Sequence, residues 1–481
     1  MKKSLIAPLV ILAALASSSA PLLAQTTYTW NGTAFLWSTT TNWSPPGTPG
    51  ANAGDDVIIA NTGTSAIINI TANRTIDMLT YSRTVNAFTI SKGNGSNETF
   101  TLTANNVLVE SGTQTLTLRS HGSATNANLV SFDFGTLTVN GTVNVGDGGA
   151  ATSTLAGQAS VHNFIADNTV INSGAVMRIT QTSNATGISP TPAAGQINLG
   201  NLTINGGSLR LNQGDSATSG ATTNATNTFI VSSLSGTSSS TINSTKAGLT
   251  GGNTTTAVLS IQGSENGTYS GTLANGLANN TLVLSKTGTG VQTLSGNNTY
   301  SGGTTVSAGT LLVSNSVGSG TGNGSVTVSS GGTLGGNGTI SGATLVSGSL
   351  NPGNLGSIGT LNITNNVTWN SGTDWVFNLG AANTSDLLNI TGNFTQGTGS
   401  VFRFDFGGAT HQGTFKLVDW TGSTTFTSGN FSLTNLGGGN TGTFAFNGSQ
   451  LELTVVPEPT TWALITLSLV FLMTFRRRRT A

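Results

Sequence analysis

Few residues in this sequence are suited to acid–base or metal chemistry, and those few are scattered. The three histidines, His121, His162 and His411, stand singly and far apart, and the chain has no cysteine. A protein metal site usually needs three or four ligands at close spacing, and a disulfide framework needs paired cysteines. The sequence therefore predicts no metal site, no cofactor and no disulfide.

The acidic residues are thinly spread as well. Cleavage of a polysaccharide by a glycosidase or lyase requires Asp, Glu, Lys or Arg side chains clustered at one groove. In the C-terminal part of the chain, single aspartates stand 12 to 19 residues apart, and such residues usually cap turns or face water. They are Asp374, Asp386, Asp405 and Asp419. The pattern favours a non-catalytic protein, with a carbohydrate-active enzyme as the alternative.

The last 25 residues consist of three parts with different residue composition. A Pro-Glu-Pro tripeptide precedes sixteen mostly apolar, uncharged residues, 460–475, and four arginines follow. As an α-helix the apolar segment would be about 24 Å long, slightly shorter than a hydrocarbon core of about 30 Å. The aromatic residue would lie at one membrane interface and the arginines at the cytoplasmic one. The predicted anchor residues are Trp462, Phe475, Arg476, Arg477, Arg478 and Arg479.

The tripeptide is placed where an enzyme can reach it. Its two prolines keep it extended and outside the helix. Tripeptide, apolar helix and arginine tail, in this order, resemble the PEP-CTERM sorting signal. The resemblance implies export by the Sec machinery, retention by the tail, and removal of the tail by an exosortase-type membrane protease. Pro457, Glu458 and Pro459 would be the recognition motif of a substrate, not catalytic residues. The alternative is a permanently anchored surface protein whose tail is never cut.

The N-terminus has the pattern of a secretory signal peptide. Lys2 and Lys3 form a charged start, an apolar stretch runs from Leu5 to Ala16, and small residues lead to Ala24. This order predicts cleavage after Ala24, so that the mature chain begins at Gln25. An uncleaved anchor is the alternative, although the apolar run is shorter than the ~20 residues of a spanning helix.

Between these two segments the chain is predicted to be almost entirely β-structure. Glycine is about twice as frequent as usual, and only 7% of the 481 residues are charged. Apolar residues alternate with Thr, Ser and Asn at a period of two, as in GTLTVNGTVNV (135–145) and NLTINGGSLRLN (201–212). One face of each short strand is thus apolar, while Gly and Asn supply the turns.

Self-similarity distinguishes the possible β-architectures. The segment VSAGTL from Val306 to Leu311 recurs as VSSGGTL from Val328 to Leu334, and GTL returns at 359–361. Units of about twenty residues, each too small to bury its own apolar face, predict a stacked solenoid. About twenty coils at about 4.8 Å each would give a rod on the order of 100 Å long.

One stretch resembles a known repeat. The segment LVLSKTGTGVQTLSGNNTYSGGTTVSAGTLLVSN (282–315) is similar to the autotransporter-associated β-strand repeat, through its Thr-Gly-x-Gly turn (287–290), Asn298 to Tyr300 and Gly302 to Leu311. The resemblance implies an all-β, parallel, right-handed β-helix of the kind found in exported surface proteins. The following GSVTVSSGGTLGGNGTISGATLVSGSLNPGN and the later TSDLLNITGNF and GTFKLVDW resemble the region that usually follows this repeat, so that the resemblance covers about a third of the chain.

A cluster of tryptophans opens the predicted mature chain. Trp30, Trp37 and Trp43 lie close together and are followed by Asp55 and Asp56. They predict either a cap over the open end of the solenoid or a sugar-stacking platform, and the need to cover that end favours the cap. Adjacent aspartates at a strand entry point to opposite faces, which is poor geometry for paired acid–base work.

These observations predict a signal peptide (1–24), an N-terminal solenoid with its aromatic cap (25–255), a repeat region (256–345), a C-terminal β-rich region (346–456) and a sorting signal (457–481). The expected function is that of an exported structural or adhesive protein of the cell envelope or extracellular matrix. Its hydroxyl- and amide-rich faces make an exopolysaccharide the expected partner. The neutral charge balance disfavours nucleic acid.

Overall fold

The computed structural model describes residues 25–32, 36–52, 54–62, 67–92, 100–119, 130–146, 163–180, 196–211, 225–245 and 254–458. The predicted signal peptide and the predicted transmembrane helix lie outside these residues. Within the described ranges, no helix has the length and apolar character needed to cross a membrane. The described secondary structure is β-strands and three short 3-10 helices, Thr40–Asn42, Ala381–Asn383 and Ser428–Asn430. The all-β prediction is confirmed for this part of the chain.

Short strands follow one another along the whole described chain. Up to residue 274 they are β1 (Thr27–Trp30), β2 (Trp43–Ser44), β3 (Asp56–Ile59), β4 (Ile67–Ile70), β5 (Arg74–Tyr81), β6 (Phe88–Lys92), β7 (Phe100–Val109), β8 (Leu116–Leu118), β9 (Val130–Val139), β10 (Thr142–Val145), β11 (Asn163–Ile171), β12 (Val176–Ile179), β13 (Ile197–Asn198), β14 (Asn201–Ile204), β15 (Ser208–Leu211), β16 (Ala225–Val231), β17 (Ser233–Gly236), β18 (Thr241–Ser244), β19 (Thr255–Ile261), β20 (Gly267–Tyr269) and β21 (Thr272–Ala274).

The later strands are similar in length. They are β22 (Asn280–Lys286), β23 (Val291–Leu294), β24 (Thr304–Val306), β25 (Gly309–Val313), β26 (Val326–Val328), β27 (Gly332–Gly336), β28 (Thr339–Ile340), β29 (Thr344–Val346), β30 (Ser349–Pro352), β31 (Thr360–Ile363), β32 (Val367–Trp369), β33 (Trp375–Val376), β34 (Leu387–Ile390), β35 (Phe394–Gln396), β36 (Phe402–Ala409), β37 (Gly413–Trp420), β38 (Phe431–Leu436), β39 (Asn440–Phe446) and β40 (Gln450–Pro457).

The strands stack in parallel into a solenoid with three faces. Face 1 contains β13, β16, β19, β22, β24, β26, β29, β32 and β35, and face 2 contains β14, β17, β20, β23, β25, β27 and β30. Face 3 contains β4, β6, β8, β10, β12, β15, β18 and β21, and later β28, β31, β34 and β37. Earlier in the chain, the long strands β5, β7, β9 and β11 each cover faces 1 and 2.

Alternating burial builds the interior. On face 2 an inward column runs from Tyr81 through Val109, Val139 and Ile171 to Ile204, and all five side chains are fully buried. Burying a side chain of this size contributes about 1.5–3 kcal/mol. The polar residue between each buried pair faces outward, as the period of two in the sequence predicts.

The bend between faces 1 and 2 explains part of the glycine content. The long strands skip one residue at this bend, so that Asp77, Asn105, Gly135 and Asp167 stack at one corner. Gly200 continues the stack with φ +58°, and a Cβ there would lie 2.0 Å from the carbonyl oxygen of Asp167. Only glycine fits this position, because the backbone of the preceding coil occupies the space of a side chain.

Coil length varies, and the sequence prediction of units of about twenty residues holds in the repeat but is wrong for the wider coils. Cross-coil hydrogen bonds join residues 28 positions apart at Asp77 and Asn105, and 33 positions apart at Asn172 and Asn205. In the repeat, Leu294 pairs with Val313, only 19 residues further on. More residues separate paired positions in the wide coils than in the repeat, so about sixteen rungs form, and the rod is on the order of 70 Å long at about 4.8 Å per rung.

The internal repeat predicted from VSAGTL and VSSGGTL is confirmed as two consecutive coils. Val306 pairs with Val328, and Leu311 pairs with Leu334. The third GTL is not equivalent, because Leu361 pairs with Leu388 on face 3 rather than continuing the column on face 2. A match of three residues is too short to predict which strands pair in neighbouring coils.

Aromatic residues fill both ends of the solenoid. At the N-terminal end β2 pairs antiparallel with the outer edge of β1, and the indole rings of Trp30 and Trp43 lie 5.0 Å apart. At the C-terminal end the rings of Trp369 and Trp375 stack at 3.6 Å. There the antiparallel hairpin β39–β40 pairs with β37 and covers the last coil.

Candidate functional site

The sorting tripeptide follows the last strand directly. β40 is paired antiparallel with β37 as far as Val455 and with β39 as far as Pro457. The backbone N–H of Glu458 then donates to the carbonyl oxygen of Gly439 at 2.7 Å. The chain is therefore hydrogen-bonded to the fold up to the middle residue of the tripeptide, with no linker between them.

Local sequence explains why the strand ends here. Pro457 has no N–H to donate, and it lies beyond the reach of β37, so its position at the end of the strand leaves no ladder hydrogen bond unmade on that side. The side chains of Val456, Pro457 and Glu458 are exposed. Glu458 thus presents a free carboxylate at a fixed point on the capped end of the solenoid.

The remaining predicted sorting and anchor residues lie outside the described residues. These are Pro459, Trp462, Phe475, Arg476, Arg477, Arg478 and Arg479, and at the other terminus Ala24. Gln25 is described, and its side-chain amide donates to the carboxylate of Asp56 at 2.8 Å. The first residue of the predicted mature chain is therefore tied to β3.

The tryptophans and aspartates near the N-terminus, which could have bound a sugar or acted as acid and base, are buried or hydrogen-bonded within the fold. Trp30, Trp37 and Trp43 are almost completely buried, so their rings are not available to a sugar. Asp55 is buried and accepts hydrogen bonds from the backbone N–H groups of Gly50 and Asn52.

The later aspartates are likewise engaged. Asp374 forms an ion pair with Arg403 at 2.7 Å, and Asp419 forms one with Lys416 at 2.9 Å. Asp405 accepts from Gly407 N–H and from the Asn435 amide.

Among the described carboxyl groups, Asp386 is the one with a clearly raised pKa. Burial raises the pKa of Asp386 to about 6, although hydrogen bonds from Asn378 and Gly359 oppose the shift. Its carboxylate accepts from the backbone N–H groups of both residues and from the Asn378 amide. The buried Asp386 carboxylate therefore links the backbone at Gly359 to the backbone at Asn378, and it is not exposed to solvent.

A shallow groove lies near the end of face 2. It is lined by residues including Ser371, Asp374, Ser400 and Arg403, and Asp374 is the one carboxylate among them. Because Arg403 already neutralises that carboxylate, the groove does not offer the acid–base pair of a glycosidase. Among the described residues, no group of three His, Cys, Asp or Glu side chains is arranged to hold a metal.

The repeat is the narrowest part of the solenoid. Between β21 and β28 face 3 has no strand, and one residue in each coil takes its place. The side-chain oxygen of Asn298 accepts the backbone N–H of Leu273 at 2.8 Å, and its amide nitrogen donates to the carbonyl oxygen of Gly320 at 2.6 Å. The N–H of Gly320 in turn donates to the carbonyl of Thr339 in β28. Hydrogen bonding along face 3 therefore continues without a strand.

Two more repeat residues support this narrowing from inside. Tyr300 is fully buried, and its hydroxyl lies 2.5 Å from the hydroxyl of Thr304. Lys286 is buried and donates to the carbonyl oxygens of Gly288 and Ala308, and burial lowers its pKa. The sequence marked these residues as part of a motif but did not reveal their structural roles, because each role depends on neighbouring coils.

Comparison with protein families finds a match for the C-terminal tail and a match for the repeat. The family model of the PEP-CTERM protein-sorting motif matches residues 455–479, and that of the passenger-associated-transport-repeat matches residues 284–313. The two resemblances found in the sequence are thereby confirmed. Both families point to an exported cell-surface or extracellular protein, and neither is a family of enzymes. A search of curated proteins finds no match to this chain.

Proposed function

We propose that this chain is an exported, non-catalytic structural or adhesive protein, built as a right-handed β-solenoid and sorted through its C-terminal tail. The tail would hold the chain in the inner membrane until an exosortase-type protease removes it, releasing the solenoid to the cell envelope or extracellular matrix. The observation that carries the proposal is the match of the sorting motif to 455–479, a segment that continues the terminal strand without a linker.

The position of the motif suggests where the chain would be cut. Residues up to Glu458 are held by β39 and by Gly439, so the bond attacked by the protease would lie on the C-terminal side of Glu458. The mature product would then retain β40 and the hairpin that closes the solenoid. Removing β40 would expose the aromatic end, since Leu451, Leu453 and Val455 are buried there.

The tail proposal is tested by removing the only charge of the Pro-Glu-Pro tripeptide. We expect Glu458→Ala to leave the full-length chain in the membrane fraction of its host, while the unaltered chain is recovered shortened. Glu452→Ala is the matched control, because Glu452 lies on β40 outside the tripeptide and its side chain accepts a hydrogen bond from the exposed amide of Asn447. Equal shortening of both variants would show that the carboxylate of Glu458 is not recognised.

A further inference from the structure

Two arginines lie side by side on the outer surface of face 3, one on β12 and one on β15. Arg178 of β12 pairs in register with Arg210 of β15, so their backbones are about 4.8 Å apart. Both side chains point outward and are partly buried. The strands of this face from β4 to β21 contain no Asp or Glu.

This arrangement is unfavourable for the isolated protein. Like charges directly opposite each other on neighbouring strands destabilise a sheet. Burial, and then the charge of Arg210, lower the pKa of Arg178. Arg178 donates to the neutral side-chain oxygen of Asn144 at 3.4 Å, and no described carboxylate lies within ion-pair distance of either arginine. The repulsion between the two guanidinium groups is therefore not relieved within the described residues.

The neighbours of the pair are hydrogen-bonding groups. In the same outward column, Asn144 precedes Arg178 and Asn243 follows Arg210. Beside them, the hydroxyl groups of Ser208 and Thr241 lie 2.7 Å apart. A guanidinium binds a carboxylate through two parallel hydrogen bonds, and amides and hydroxyls bind sugar hydroxyls. Together these groups form a polar strip along the solenoid axis with two positive charges at its centre.

We propose that Arg178 and Arg210, flanked by Asn144 and Asn243, bind the carboxylate groups of an acidic polysaccharide lying along face 3. The site is flat and extended, which suits a polymer. Nucleic acid would require many more basic residues along the surface, since each neutralised phosphate contributes to its binding. The proposal rests on the proposed function, because it names the chemical class of the matrix partner, but binding itself does not require the tail to be processed.

The test uses the full chain purified in mild detergent, with polygalacturonate as the acidic polymer and dextran as the neutral one. We expect the unaltered protein to prefer polygalacturonate, and the double variant Arg178→Gln with Arg210→Gln to lose at least about tenfold in affinity for it. Binding to dextran should not change. The thermal unfolding midpoint of the variant should be equal or higher, because a repulsion has been removed, so lost binding would not reflect misfolding.

The matched control removes two positive charges from a different part of the protein. Arg403→Gln with Lys416→Gln changes the net charge equally but leaves Arg178, Arg210 and strands β10 to β18 unaltered, and it should bind polygalacturonate like the unaltered chain. Equal losses in the two double variants would mean general charge attraction and would overturn the site. So would equal binding of dextran, tighter binding of a single-stranded DNA oligonucleotide, or no binding of polygalacturonate. Failure of tail processing would leave this result unaffected, so the two proposals can fail separately.

Discussion

The wide coils before residue 275 and the narrow coils of the repeat solve the same packing problem differently. In the wide coils face 3 is a strand in every coil, and the outward amides Asn140, Asn172 and Asn205 only add hydrogen bonds across an existing ladder. In the narrow coils face 3 has no strand. Two backbone bonds, from Thr299 N–H to Leu273 and from Asn298 N–H to Ser319, connect the coils together with the two bonds of the buried Asn298 amide. An asparagine side chain therefore supplements a complete ladder in one region and supplies much of the connection in the other.

This difference explains why the repeat has a recognisable motif and the wide coils do not. A strand requires only alternation, which many sequences satisfy. A side chain that substitutes for a strand must have one length and one pattern of donors and acceptors. If the narrow coils depend more on individual side chains than the wide coils do, substitutions in the narrow coils should lower the free energy of unfolding more.

The largest effect is expected from Tyr300→Ala. The ring of Tyr300 is fully buried in the narrow coil, and its removal leaves a cavity that costs about 3–5 kcal/mol of unfolding free energy. Urea titration followed by circular dichroism measures the loss. Tyr300→Phe is the matched variant, since it keeps the ring and loses only the contact with Thr304, and it should cost about 1 kcal/mol. Equal costs for both variants would show that the hydroxyl, not the ring, supports the narrow coil.

A somewhat smaller effect is expected from Asn298→Ala. It leaves the N–H of Leu273 and the carbonyl of Gly320 without their partner in the interior, at a cost of about 2–4 kcal/mol. Hydrogen exchange should accelerate in peptides covering 272–274 and 319–341. Asn297→Ala is the control, because Asn297 is the exposed neighbour. If exchange along face 3 is unchanged in Asn298→Ala, the amide does not replace the strand.

The smallest effect is expected from Asn172→Ala in the wide coils. Its amide bonds to Asn140 at 2.6 Å and accepts from Asn205 at 3.0 Å, but all three side chains are partly or fully exposed. Water replaces these bonds, so the cost should be about 1 kcal/mol or less. A cost equal to that of Asn298→Ala in the same urea titration would remove the distinction between the two regions.

Much of the fold could be predicted from local pattern. Alternation gave the strands, and the similarity of VSAGTL and VSSGGTL gave the true pairing of Val306 with Val328. Coil length could not be predicted, because the sequence between the alternating segments before residue 255 carries no periodic signal. The closing hairpin β39–β40 also escaped prediction, since an antiparallel strand alternates in the same way as a parallel one.

The candidate sites also differ in how far they could be predicted from local sequence. The sorting tripeptide is contiguous in sequence and was recognisable, whereas its direct attachment to β40 depends on the partner Gly439. Arg178 and Arg210 are 32 residues apart, and only the coil length places them on neighbouring strands. Spacing of charged residues at the length of one coil is the signal that would have found them.

Mass spectrometry of the protein recovered from its own host would show whether the chain is exported and loses both of its terminal segments. We expect a chain that begins at Gln25 and ends at Glu458 or just beyond it, with β40 intact. A mature chain that still carries Trp462 to Arg479 would contradict it, because the tail would then be a permanent anchor and not a sorting signal.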